Sequence, residues 1–146
     1  MKKNINIIVA NPAGNITIFV LDKFPRESYQ QVATQLFSIK EFAAEQVCFV
    51  LEPDKKSDGK MEMSGLEFCG NASRSFGLIT AKKLGLKGTA EVVVDVSGSK
   101  HKLRVYVDLE NNYTKIKMPD PLSVSTFQEE PISMLNGGQM VDLGGI

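Results

Sequence analysis

Three consecutive residues, Cys69-Gly70-Asn71, stand where an apolar helical pattern begins, and their types could do chemistry. A cysteine immediately ahead of a helix sits at the positive end of the helix dipole, which favours thiolate over thiol. The free backbone N–H groups of Gly70, Asn71 and Ala72 at such a terminus form a site for a carboxylate or phosphate. Gly70 has no Cβ, so a ligand can approach the backbone closely. The arrangement suggested is a substrate carboxylate on the helix N-terminus with the Cys69 sulfur facing its α-carbon. A thiolate so placed acts as a nucleophile or as a general base. A nucleophilic cysteine ordinarily has a partner base. The single histidine, His101, lies between Lys100 and Lys102 and reads as a surface residue, so proton transfer gains over nucleophilic attack. The competing reading is a small buried cysteine that caps a helix, with Gly70 as turn chemistry. The residues alone leave the two level.

These residues need elements to position them. Asn4–Val9 and Ile16–Leu21 are rich in Ile, Val, Thr and Phe, as strands are, and Asn11-Pro12-Ala13-Gly14-Asn15 makes the tight turn between them. Arg26–Ile39 is expected to be an amphipathic helix, with Tyr29, Val32, Ala33, Leu36 and Phe37 on one face and Pro25 at its start. Gln46–Glu52 is a strand in which Cys48, among Val47, Phe49 and Val50, reads as core. A turn at Asp58-Gly59 leads into a strand ending at Met63. The central helix spans about 71–84, with few charges in its first two-thirds, Lys82 and Lys83 in its last turn and Gly85 as its C-cap. Thr89–Ser97 and Lys102–Asp108 form a hairpin, and Tyr113–Met118 alternates as a further strand. The expected fold class is α+β: a curved, mainly antiparallel or mixed sheet wrapped around the buried central helix, with the helix of about 26–39 as a cover. Residues 1–121 form the domain. Residues 122–138 read as irregular, and 122–146 as a linker with the start of a second, truncated domain whose final strand runs into Gly144-Gly145.

Length and composition bound the function. A chain of 146 residues with 42% hydrophobic and 23% charged residues suits one domain, or one large half of a two-domain protein, with a real core. Lys plus Arg and Asp plus Glu balance at 17 each, which leaves no basic footprint for nucleic acid or an acidic membrane. No apolar run is long enough for a bilayer span, and the alternating Asn4-Ile5-Asn6-Ile7 lacks a signal peptide's apolar stretch, so a cytoplasmic location is expected. Two cysteines and one histidine cannot build a cysteine-rich zinc site.

The central motif resembles that of the diaminopimelate epimerase superfamily, whose members are cofactor-independent racemases and epimerases that use two cysteines. The family's first cysteine lies in Cys-Gly-Asn-(Gly/Ala), matched by Cys69-Gly70-Asn71-Ala72. The likeness is closer to the histidine racemases of opine-type metallophore biosynthesis. Asn11–Asn15 matches their Asn-Pro-(Ser/Ala)-Gly-Asn, and Glu45-Gln46-Val47 with Phe49 matches a second motif. Met63–Ala72 matches Met-Ser-Gly-x-Glu-Phe-Cys-Gly-Asn-Ala. The resemblance covers most of the first half of the chain and fades after the central helix.

The resemblance implies that Cys69 is one member of a thiol/thiolate pair and that inversion uses no pyridoxal phosphate or metal. It implies that the Gly70 and Asn71 amides hold the α-carboxylate, that Asn15 and Gln46 contact the substrate, and that Ser64 lines the pocket. The second cysteine belongs to a Cys-Gly-(Ser/Thr)-Gly motif in a second domain of like fold, absent from these residues. Cys48 cannot replace it, because it lies in a strand of the same half. The expected partners are a small amino-acid substrate and that second half, with homodimerisation through the uncovered surface left open. The chain alone is expected to be inactive. The alternatives are a diaminopimelate epimerase, disfavoured because Gly144-Gly145 stands where those enzymes have Gly-Asn; a thiol-independent isomerase of the same fold, disfavoured by Asn71; and a non-catalytic carboxylate-binding domain.

Overall fold

The computed structural model describes residues 4–118, 120–127 and 138–142. Seven strands form one mixed sheet in chain order: β1 (Ile7–Ala10), β2 (Thr17–Val20), β3 (Gln46–Leu51), β4 (Gly59–Met63), β5 (Thr89–Val96), β6 (Leu103–Asp108) and β7 (Tyr113–Ile116). Two helices interrupt them, α1 (Tyr29–Phe37), entered through a 3-10 turn over Arg26–Ser28, and α2 (Gly70–Lys83). The β2–β3 and β4–β5 pairs are parallel because a helix crosses over between their members. The other neighbouring pairs are antiparallel. The expected α+β class and mixed sheet are therefore present, with α2 as its centre.

The period of two along the strands divides the core. Ile18, Val20, Val47 and Phe49 pack under α1 with Tyr29, Val32, Ala33 and Leu36. Phe19, Cys48, Met61 and Met63 point the other way, to α2. There they join Phe76, Ala72 and Ala81 of the helix and Val92, Val94, Val105 and Val107 of the hairpin. Tyr29 stacks on Phe49 with ring centroids 3.7 Å apart, and Phe19 stacks on Phe76 at 6.0 Å. Ile8 and Ala10 of β1 and Ile116 of β7 also pack against the α2 cluster, so the sheet curls round the helix from both ends.

Small residues bring α2 close to the sheet. A Cβ on Gly77 would lie 2.4 Å from Val105 Cγ1, so helix and β6 meet where only glycine fits. Gly85, at φ +70°, ends the helix, and the Leu86 N–H donates back to the Ala81 carbonyl at 3.1 Å.

Residues 122–138, expected to be irregular, contain β8 (Ser123–Phe127), which pairs antiparallel with β9 (Gly138–Asp142). Val124 and Thr126 alternate with serines there, a strand pattern diluted by polar residues. The glycine turn at Gly144-Gly145 lies outside the described residues. Among the described residues no helix is long and apolar enough to cross a membrane.

Candidate active site

Cys69 is the N-cap of α2, with φ −137° and ψ 117°. Its carbonyl accepts the first helical bond from Ser73 N at 2.9 Å and a second from the Ser73 hydroxyl at 2.7 Å. Its sulfur takes the capping place that an oxygen usually holds, accepting from Ala72 N at 3.4 Å. Gln46 Nε2 donates to the same sulfur at 2.9 Å. Two N–H donors thus converge on a half-buried sulfur at the head of a helix.

The loop ahead of Cys69 is held from the far side by the β5–β6 turn. The Ser97 hydroxyl accepts from Met63 N at 2.8 Å and donates to the Glu67 carbonyl at 2.9 Å. Gly98, at φ +72°, presses against it so closely that a Cβ would lie 2.2 Å from Phe68 N. Leu66 takes φ +62°, a left-handed conformation in a residue with a full side chain. Phe68 is buried in the α2 cluster and anchors the loop's end.

Beside the sulfur runs a second chain of polar groups. Asn71 Nδ2 donates to Asn15 Oδ1 at 3.3 Å, and Asn15 Nδ2 donates to Glu45 Oε2 at 2.6 Å. Arg74 Nη2 donates to Asn71 Oδ1. A carboxylate and a guanidinium therefore close the two ends of an Asn15–Asn71 pair.

A cavity of about 440 Å³ opens over the helix start, lined by Cys69, Gly70, Asn71, Arg74, the β7 residues Tyr113–Ile116 and Met118. Met118 lies over Gly70, where a Cβ would come 2.9 Å from its sulfur. A larger groove of about 1080 Å³ runs along α2 between β1 and β7. It does not reach Cys69, whereas the smaller cavity does.

The structure brings Cys69, Gly70, Asn71, Asn15 and Gln46 together. Ser64 directly follows β4; its N–H donates to the Val47 carbonyl at 2.9 Å and its carbonyl accepts from Gln30 Nε2 at 2.9 Å, with no hydrogen bond to Cys69, Gly70, Asn71, Asn15 or Gln46 among those of the described residues. Like Asn15 and Gln46, it is not part of the cavity lining. Cys48 is fully buried against Met63, with its sulfur 3.3 Å from Sδ. Burial, then the nearby Cys69 and Glu67 charges, push its thiol well above the usual range, which keeps it a neutral core group. His101 is exposed. Among the described residues no three His, Cys, Asp or Glu side chains converge to hold a metal. Thr17, Glu45, Arg74 and Met118 are additions to the residues expected from sequence. Glu45 stands in the Glu45-Gln46-Val47 motif, and Arg74 is the one charge in the early turns of the helix. Thr17 and Met118 look like ordinary strand residues.

The chain matches the family described as histidine racemase CntK N-terminal domain over residues 4–141. It is 41% identical over 68 residues to a histidine racemase of Staphylococcus aureus (strain Mu50 / ATCC 700699), covering 45% of this chain and 25% of that protein. It is 33% identical over 127 residues to a histidine racemase of Fusobacterium nucleatum subsp. nucleatum (strain ATCC 25586), covering 82% of this chain and 45% of that protein. The chain thus spans less than half the length of these relatives.

Proposed function

Because this chain belongs to the histidine racemase CntK N-terminal domain family, we propose that it supplies one half of the catalytic centre of a cofactor-independent amino-acid racemase acting on histidine. Cys69 is the acid/base group of this half. The observation that carries the reading is its sulfur at the head of α2, accepting from Gln46 and from the Ala72 amide beside the cavity.

In the proposed reaction the substrate α-carboxylate docks on the Gly70 and Asn71 N–H groups at the start of the helix. The α-carbon then faces the Cys69 thiolate, which takes the α-proton and becomes a thiol. The electron pair left on carbon spreads into the carboxylate, where the helix amides meet the growing negative charge. A second thiol, on the opposite face and supplied by the rest of the protein, delivers a proton and becomes a thiolate. The centre is inverted with protons and charge balanced, and reaction of the opposite enantiomer resets the pair. Asn15 and Gln46 contact the substrate beside the sulfur.

The test is racemisation by the full-length protein, followed by chiral chromatography against a panel of single amino acids. The account predicts conversion of L-histidine to the racemate, with other amino acids slower. Turnover of meso- or LL-diaminopimelate in preference to histidine would move the substrate assignment to the epimerases.

A further inference from the structure

One buried polar side chain next to the site has no part in the chemistry above. Thr17 opens β2 and is fully buried. The parallel register sets it opposite Gln46, the first residue of β3. Its Oγ1 lies 3.0 Å from Gln46 Oε1, and the other end of that amide donates to Cys69 Sγ at 2.9 Å. A second acceptor near this hydroxyl, the Asn15 carbonyl, is farther away at 3.4 Å.

A glutamine amide can turn either end toward a sulfur. Its NH₂ end donates and suits a thiolate, whereas its carbonyl end repels one. What holds the far end decides the orientation. With the Thr17 hydroxyl donating to Oε1, the NH₂ end is the one left to face the sulfur. We propose that Thr17 is a positioning residue, which through this bond holds the Gln46 amide as a donor to Cys69. The proposal rests on the reading of Cys69 as the acid/base thiol for its purpose, but its geometry is read on this chain alone. Thr17 does not touch substrate; it acts through Gln46.

The test is alkylation by iodoacetamide at fixed neutral pH on the 146-residue chain, with Cys69 and Cys48 followed separately by peptide mass spectrometry. Thr17→Val keeps the volume and removes the hydroxyl; Thr17→Ser keeps the hydroxyl and removes a buried methyl. Positioning predicts that Thr17→Val slows Cys69 alkylation about fivefold, the scale of one hydrogen bond to a charged group weakened indirectly, and that Thr17→Ser stays within about twofold of wild type. A packing role predicts the reverse order, and that result would overturn the proposal. In a Gln46→Leu background the Thr17→Val effect should vanish, since the two act in series. An undiminished effect there contradicts the proposal. So does rapid alkylation of Cys48 in Thr17→Val, which would mark Thr17 as a core support. None of these readouts needs racemase turnover, so a failure of the racemase reading and a failure of the positioning role appear in different experiments.

Discussion

Cys69 and Gly70 carry the reaction proposed for this chain, and each makes a distinct prediction. Gly70 faces Met118, whose flexible end can move aside, so Gly70→Ala leaves the fold almost intact. The added methyl still intrudes on the amides that would hold the carboxylate. In the full-length protein KM for histidine should rise about tenfold, equivalent to ~1.4 kcal/mol of binding, while the melting temperature changes little. An unchanged KM would place the carboxylate elsewhere. At this scale the sequence was informative where chemistry shows in residue type. Cys69, Gly70 and Asn71 stood out because a cysteine and a glycine are unusual at a buried helix start. Thr17 did not, since a threonine at the start of a strand is ordinary and its importance appears only when the parallel register sets it opposite Gln46.

Among the elements, the β5–β6 turn fixes the loop that leads into Cys69. Gly98 is required there twice over, by its φ of +72° and by its approach to the Phe68 backbone, which cannot step aside as a side chain could. Gly98→Ala should cost about 2–4 kcal/mol from left-handed strain plus overpacking, read as a lower midpoint in urea. It should also change Cys69 alkylation, because the loop must shift to admit the methyl. A variant as stable as wild type would mean that the turn does not clamp the loop. Gly77→Ala, against Val105, should lose about 1–2 kcal/mol, the clash outweighing the gain in helix propensity. Both strands of this hairpin were legible from their alternating valines. The clamp was not, because a Ser-Gly pair in a turn looks the same whether or not it touches another loop. β8 was missed for a related reason: Val124 shares its alternating set only with the polar Thr126, and Phe127 shares the other with Ser123 and Ser125, so neither reads as an apolar strand face.

For the whole molecule, the two faces of the sheet are fastened differently. The α2 side is closed by apolar packing, whereas the α1 side also carries a buried carboxylate, Glu62, which accepts from Arg26 Nε at 2.8 Å and from its Nη2. The Arg26 hydrogen bond, helped by its charge, holds the Glu62 carboxyl below its ordinary range, against the opposing effect of burial. A carboxyl depressed in the folded state contributes stability above its unfolded value of about 4.3. That contribution is lost as pH falls through the lower folded value. Glu62→Gln should therefore melt below wild type at neutral pH, and the gap should narrow as the pH is lowered below about 4. A gap that stays constant with pH would assign the effect to shape alone. The α+β architecture was readable at this scale because both helices carry clear apolar faces between strand-like runs. The Glu62–Arg26 pairing joins residues 36 apart and left no local trace. The most direct test of the central claim is solvent deuterium incorporation at the α-position of histidine by the full-length protein and its Cys69→Ala variant. The account predicts incorporation by the wild type and none above background when the thiol is removed; exchange that persists in Cys69→Ala would contradict it.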